Sequence, residues 1–312
     1  MRRSRGVALI SVLVVLAVAT TLVSGLLLTL QLDLRRLETA ARLRQARAYA
    51  LGMESWMRVR LQRELRAARD RRQPALDPAL FAPVRLDIDG GTLEGRLVAL
   101  DGRYNLNNLR RADGSIDALQ YALFERLLAL LELPADLAPA LADWLDADRE
   151  VRFPAGAEDA DYALLKPAYG APDRPLAGSS ELRGVRGLTP AVYARLAPFV
   201  TALPAPSTLD INTAPGLLLA LMAGGGTMGS GAGLEALRPP GGFTSVGEFL
   251  SRAGAAQNAA PGTLMAVQGH HFLVIAEARQ DDVRARLQSV LEREDTQPSP
   301  RVLRRSWSGD LE

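Results

Sequence analysis

Between Asp143 and Asp161 the chain carries Asp143, Asp146, Asp148, Glu150, Glu158, Asp159 and Asp161, countered within that stretch by Arg149 and Arg152 alone. Carboxylates crowded in this way repel one another unless a cation sits among them. The ion that suits such oxygens is Ca2+, which takes about 6 to 8 oxygen ligands in flexible geometry. The spacing is not that of an EF-hand, and on composition alone the same stretch also reads as a solvated acidic loop. Paired acids could in principle catalyse hydrolysis, but no nucleophile, histidine or sugar-stacking aromatic cluster accompanies them. Asp143 is expected on a helix surface beside Trp144, which leaves Asp146, Asp148, Glu158, Asp159 and Asp161 as candidate ligands.

Little other chemistry is offered. Cysteine is absent, which excludes disulfides, thiolate zinc sites, iron–sulfur ligation and a lipidated N-terminal Cys. His270 and His271 are adjacent, so on a strand they would point to opposite faces and no histidine-based site is expected. The glycine-rich run from Gly224 to Gly233 lacks the Gly-Lys-Ser/Thr ending of a phosphate loop and reads as a flexible linker. A net charge of +2 does not demand a polyanionic partner, and 48% hydrophobic residues over 312 positions suffice for a packed core.

The elements that must position the acidic loop begin with a membrane helix. Arg2, Arg3 and Arg5 precede a run from Val7 to Leu32 without a charged side chain. As a helix that run is about 39 Å long at ~1.5 Å per residue, more than a hydrocarbon core requires. It exceeds the apolar core of an ordinary secretory signal, and no Ala-x-Ala site closes it. The preceding arginines place the N-terminus in the cytoplasm and the remainder outside. From Asp33 to Asp70 the helix continues without proline, and Ala46, Ala50, Met53, Met57, Leu61 and Leu65 form an apolar stripe that needs a partner.

Pro74 and Pro78 mark the exit from that helix, and Val84 to Asp101 reads as a β-hairpin turning at Gly90-Gly91. Ser115 is expected to cap a helix with Ile116, Leu119, Leu123, Leu127 and Leu130 on one face. A second helix holds Leu141, Trp144 and Leu145, and a third starts at Thr189-Pro190. The segments around Leu182 to Leu188 and Leu209 to Ala214 are similar to helix-hairpin-helix and sterile-alpha-motif-like elements. Such loops can bind DNA phosphates, here through Arg183 and Arg186, but the repeated basic patches of DNA-binding proteins are missing. Phe272 to Ala278 reads as a strand, Val283 to Leu291 as a strand or short helix, and the chain after Glu294 as disordered.

Four segments together resemble the minor pseudopilin K family of type II secretion: the Arg5 to Ile10 junction, Gln45 to Gly52, Gly102 to Leu109, and Leu141 to Asp148 with Gly156 to Tyr162. The resemblance implies that prepilin peptidase cuts between Gly6 and Val7 and methylates Val7. Most pilins carry Glu where this chain has Ser11, and the missing carboxylate is the one expected of a tip subunit with no neighbour above it to neutralise. The family's acidic residues bind calcium, which the resemblance assigns here to Asp146, Asp148, Glu158, Asp159 and Asp161. The family often has Asn at the position of Asp173, which can still offer an oxygen, and an Asp near Gly178, which cannot through a side chain, so a second calcium site would lack that one ligand.

The implied fold is α+β, a pilin-like long N-terminal helix on a small antiparallel sheet with a large inserted helical domain. The expected divisions are a leader (1–6), a transmembrane helix (7–32), helix and first strands (33–104), an inserted α-domain (105–205), a sterile-alpha-motif-like segment with the last strands (206–294) and a disordered tail (295–312). The expected role is non-enzymatic: initiating and capping the pseudopilus with minor pseudopilins I and J, from the bacterial inner membrane, without nucleic acid. A type IV pilus minor pilin and a membrane-tethered helix-hairpin-helix DNA-binding protein are the alternatives.

Overall fold

A computed structural model of the chain describes residues 4–225, 230–294 and 299–307. It opens with α1 (Ser4–Arg71), a helix of 68 residues, in which Gly6, Val7 and Ser11 all lie. Thr20, Thr21 and Thr29 return their hydroxyls to the carbonyls of Ala17 and Gly25 about one turn back, so these hydroxyls carry no unpaired donor into an apolar surrounding. From Leu9 onward the helix is long and apolar enough to cross a membrane.

The chain continues through β1 (Val84–Ile88), β2 (Gly91–Ala99), β3 (Tyr104–Asn105), α2 (Ala118–Leu130), α3 (Leu137–Leu145), α4 (Asp159–Tyr162) and α5 (Pro190–Leu196). There follow β4 (Val200–Thr201), β5 (Leu209–Asp210), α6 (Gly216–Met222), α7 (Ser230–Ala236), α8 (Val246–Arg252), β6 (Met265–Ala266), β7 (His271–Gln280), β8 (Val283–Glu292) and β9 (Arg301–Ser306). Five strands form one antiparallel sheet in the order β1-β2-β7-β8-β9. The expected hairpin is β1–β2, turned at Asp89-Gly90 with Gly90 at φ 72°.

The apolar stripe of α1 finds its partner on this sheet. Ala46, Ala50, Met53, Met57 and Leu61 share a core with Leu97, Phe272, Val274, Ala276 and Leu287. Each large side chain so buried contributes about 1.5–3 kcal/mol. Helix and sheet lie close because β2 offers a glycine there: a Cβ on Gly95 would overlap Met53 Sδ and come within 2.7 Å of Met57 Cε.

Between β2 and β7 the chain builds a helical insertion with its own core, including Leu123, Phe124, Leu141, Leu218, Phe243 and Phe249. The expected division near residue 205 does not separate two cores, because side chains on both sides of it share this one. The insertion meets the far end of α1, where Ala75 N donates to Gly241 O (3.4 Å) and Gln268 Nε2 to Pro74 O (3.0 Å).

Several local expectations need correction. Asp117, not Ser115, caps α2, accepting from Leu119 N (2.9 Å) and Gln120 N (3.0 Å), while Ser115 Oγ is engaged by Asp113. The buried face of α2 runs through Leu123, Phe124, Leu127 and Leu128, and Leu119 is exposed. Val283 to Leu291 is strand, within β8. The linker reading of Gly224 to Gly233 lies outside the described residues at 226–229, and α7 begins at Ser230.

The disordered tail is corrected where it is described: residues 301–306 form β9, on the edge of the sheet, while 295–298 and 308–312 lie outside the described residues. Sequence pattern missed it because the strand is rich in arginine, and what holds it is an ion pair between a half-exposed arginine and a buried acid. Glu54 of α1, buried under the sheet, receives Arg305 Nε (2.6 Å), Arg305 Nη2 (2.8 Å) and Ser289 Oγ (2.6 Å). Burial pushes the Glu54 carboxyl up, but the hydrogen bonds from Arg305 and Ser289 and the charges of Arg305 and Arg58 outweigh it and hold it below its ordinary 4.5. Stability from a depressed carboxyl is present above the unfolded value and lost as pH falls through the folded one. Melting curves of the detergent-solubilised chain should therefore drop more between pH 5 and pH 3 than those of Glu54→Gln. Arg305→Ala, which leaves the buried carboxylate without its cation, should cost about 2–3 kcal/mol at pH 7.

Candidate metal centre

The site grows from α3, a helix whose every residue is buried, Asp143 and Trp144 included. Asp143 is therefore not a helix-surface residue as expected. The run from Leu137 to Leu145 is apolar on all sides, so its single acid is carried inward with the rest. Asp146 caps the helix with extended backbone and starts the loop that carries Asp148 away. The loop folds back at Gly156, whose N–H donates to Arg152 O (2.7 Å). A Cβ on Gly156 would overlap Asp143 Oδ2 and lie 2.5 Å from Arg152 O, so only glycine permits this return.

The return brings Glu158 to the end of α3. One oxygen each from Asp146, Asp148 and Glu158 can be chosen so that all lie within 4.8 Å of one another. Around them Asp143 Oδ1, Asp146 Oδ1, Asp173 Oδ1 and both Glu158 carboxylate oxygens are buried and accept no hydrogen bond. Arg152 donates from Nη2 to Asp146 Oδ2 (3.4 Å) but leaves these oxygens unsatisfied, its Nε lying 3.7 Å from Asp143 Oδ1. Asp173 sits at φ 49°, a left-handed conformation that Asp and Asn tolerate better than other side chains.

The electrostatics register the crowding. Burial, then the charges of Asp148 and Asp143, push the Asp146 carboxyl up to about 6. Glu158 is pushed up to about 7, by burial first and then by Asp143, Asp173, Asp146 and Asp148. Asp143 and Asp173 are raised as well, chiefly by burial. Buried oxygens without donors, from acids that penalise one another's ionisation, fit a hard divalent cation with oxygen ligands.

Of the residues singled out in the sequence, Asp146, Asp148 and Glu158 converge, whereas Asp159 and Asp161 are engaged elsewhere. Asp159 Oδ1 accepts Ala171 N (2.9 Å), closing the following loop. Asp161 accepts Glu158 N (3.2 Å) and Arg186 Nη1 (3.0 Å). These two acids shape the backbone that presents Glu158. Asp143 is the acid that sequence reasoning misplaced, and Asp173, which the sequence offered only toward a second site, has a buried oxygen and a charge that acts on Glu158 here. Of the two arginines considered for phosphate binding, Arg186 is committed to Asp161, and Arg183 stacks on Tyr193 with its guanidinium 4.6 Å from the ring centre.

A membrane-length helix that runs on into an antiparallel sheet, with a helical insertion carrying an acidic site, is the architecture of a pilin-like subunit. Residues 102–205 match the family model of type II secretion system (T2SS), protein K. Type II secretion system protein K of Pseudomonas aeruginosa is 38% identical over 305 residues, spanning 94% of this chain and 90% of that protein. The protein of the same name from Aeromonas hydrophila is 31% identical over 319 residues, 94% of each. A chain of the crystal structure of the GspK-GspI-GspJ complex from enterotoxigenic Escherichia coli superposes with a TM-score of 0.75 at 24% identity, over 87% of this chain and 98% of that one. The chain belongs to the type II secretion system protein K family.

Proposed function

We propose that this chain is the minor pseudopilin at the tip of the type II secretion pseudopilus, a structural component that helps initiate and cap its assembly. The observation that carries the reading is the helical insertion seated at the far end of α1, where Gly241 and Gln268 meet Ala75 and Pro74. A further subunit stacked along the helix axis would meet that insertion. Ser11 agrees with this position, since a subunit with none above it has no terminal ammonium to neutralise. The relative solved as a GspK-GspI-GspJ complex supports minor pseudopilins I and J as partners. The chain is anchored in the inner membrane with its N-terminus cytoplasmic and its sheet and insertion periplasmic, following Arg2, Arg3 and Arg5.

The proposed cofactor is calcium, held by Asp146, Asp148 and Glu158 with Asp143 and Asp173 behind them. A bound Ca2+ supplies the positive charge that lets these acids stay ionised and fixes the loop to α3. Asp159 and Asp161 belong to the site as residues that position Glu158.

Two outcomes test this reading. Mass spectrometry of the mature chain should give an N-terminus at Val7, and a bulky substitution at Gly6 should block cleavage while leaving insertion intact; any other start contradicts the leader assignment. The calcium site has a pH signature. Carboxyls raised above their ordinary 3.8 and 4.5 stabilise the fold below those values and lose that contribution as pH rises through about 6 and 7. The metal-free chain should therefore melt lower at pH 8 than at pH 5. Calcium should raise the melting temperature at pH 8, by about 2.7 kcal/mol in stability at ~100 times Kd, and less at pH 5, where protons compete. Magnesium should do less, and Asp148→Ala with Glu158→Gln should remove the response. Identical melting in chelator and in millimolar calcium would return the loop to a solvated acidic cluster.

A further inference from the structure

We propose that Arg110 couples the acidic site to a groove beside β9, so that a divalent cation in the site and an aliphatic carboxylate in the groove each strengthen the binding of the other. The inference rests on calcium as the proposed cofactor of that site.

Arg110 stands between the two places. It leads into a tight turn in which Arg111 N donates to Ser115 O (2.8 Å) and Gly114 adopts φ 91°. Gly114 O accepts Ala147 N (3.1 Å), which pins the turn to the acidic loop between Asp146 and Asp148. A Cβ on Gly114 would lie 2.6 Å from Ala147 Cβ and 3.1 Å from Arg110 Nη2, so the guanidinium rests against this same turn. Its Nε is buried and has no acceptor, just as Asp173 Oδ1 is buried and has no donor. Burial, then the charge of Asp159, raise the Asp173 carboxyl, while the charges of Arg149 and Arg110 oppose the rise. Arg110 and Asp173 therefore act on each other through charge without satisfying each other.

Arg110 also lines a cavity of about 1040 Å3 between β9 and the insertion, together with Leu176, Leu203, Val290, Leu303 and Arg304. One wall is fixed three residues beyond Asp173, where Leu176 N donates to Asn107 Oδ1 (2.8 Å) and Leu176 O accepts Asn107 Nδ2 (2.9 Å). A third arginine of the cavity, Arg111, is committed to Asp117 at 3.0 Å. Arg304 is half-buried and has no hydrogen-bonded or ion-paired side-chain partner among the described residues. Two incompletely paired guanidinium groups beside an apolar wall select a ligand with an aliphatic body and a carboxylate head.

The coupling follows from the charges. With the site empty, its ionised acids hold Arg110 and repel an anion in the groove. A divalent cation reverses both effects: Asp173 is neutralised, Arg110 loses its counter-charge, and a carboxylate in the groove replaces it. Because such linkage is reciprocal, a carboxylate that neutralises Arg110 also spares the cation a like charge.

Octanoate serves as the probe. Calcium affinity of the full chain in non-ionic detergent at pH 8, read by titration calorimetry, is compared with and without millimolar octanoate at matched ionic strength. Octanoate should tighten calcium binding about fivefold, and uncharged 1-octanol should not. Arg110→Gln should bind calcium about fivefold more tightly by itself and lose the response to octanoate, whereas Arg110→Lys, which keeps the charge, should behave as the unchanged chain. Arg304→Gln should leave the affinity without octanoate unaltered and need about tenfold more octanoate for the same effect, the loss of one charge-assisted hydrogen bond. Melting in chelator shows that each variant is folded. Calcium binding that neither octanoate nor Arg110→Gln changes overturns the coupling and leaves the calcium reading standing; the absence of any calcium binding overturns both.

Discussion

The rest of the structure depends on one seam, the stripe of Ala46, Ala50, Met53, Met57 and Leu61 lying against the sheet. A single helix has to satisfy two surroundings in succession. Its first part is apolar on every side and suits lipid, and its second part must be apolar on one side only. Small residues on the helix and Gly95 on β2 bring the two layers close, and the unbranched methionines fill what remains. The seam also receives the one acid that the helix carries inward there, Glu54, and through Arg305 that acid recruits the last strand of the sheet. Such an ion pair is not a strong source of stability in itself, but removing Arg305 leaves the buried Glu54 carboxylate without its cation and without water to turn to.

The insertion solves a different problem. Its core is continuous from β3 to β6, yet at the end of α3 it admits acids whose oxygens have no donors. Left alone, such a cluster costs stability, since burial and mutual repulsion both oppose ionisation. Arg152 is too distant from Asp143 Oδ1 to compensate fully. On the proposed reading, a divalent cation would convert the same oxygens from a liability into a fastener between helix and loop, in a chain that has no cysteine to make a disulfide. The outward acids Asp159 and Asp161 then act on the backbone, holding Glu158 at the centre.

Much of this was legible in the residues. The uncharged run after the arginines, the stripe on α1, the β1–β2 hairpin and the Thr189-Pro190 start of α5 each follow from a local rule, and the structure reports each one. Three of five proposed ligands converge. What was hidden depends on distant contacts. β9 has the composition of a solvated tail until Arg305 meets Glu54, some 250 positions away. Asp143 looks like a surface acid until α3 is seen to be buried on all sides. Ser115 and Asp117 are both good caps by type, and the choice between them is made by Asp113, which takes the serine.

A distal position in the pseudopilus is the claim on which the functional reading stands, and it can be observed directly. An epitope inserted after the exposed Gly254, in a chain that still supports secretion, would be labelled with gold on pseudopili lengthened by overproducing the major subunit. One label at the end away from the membrane is the predicted result. Labels spread along the shaft would contradict it, because a subunit with neighbours above could not carry the insertion where this fold puts it.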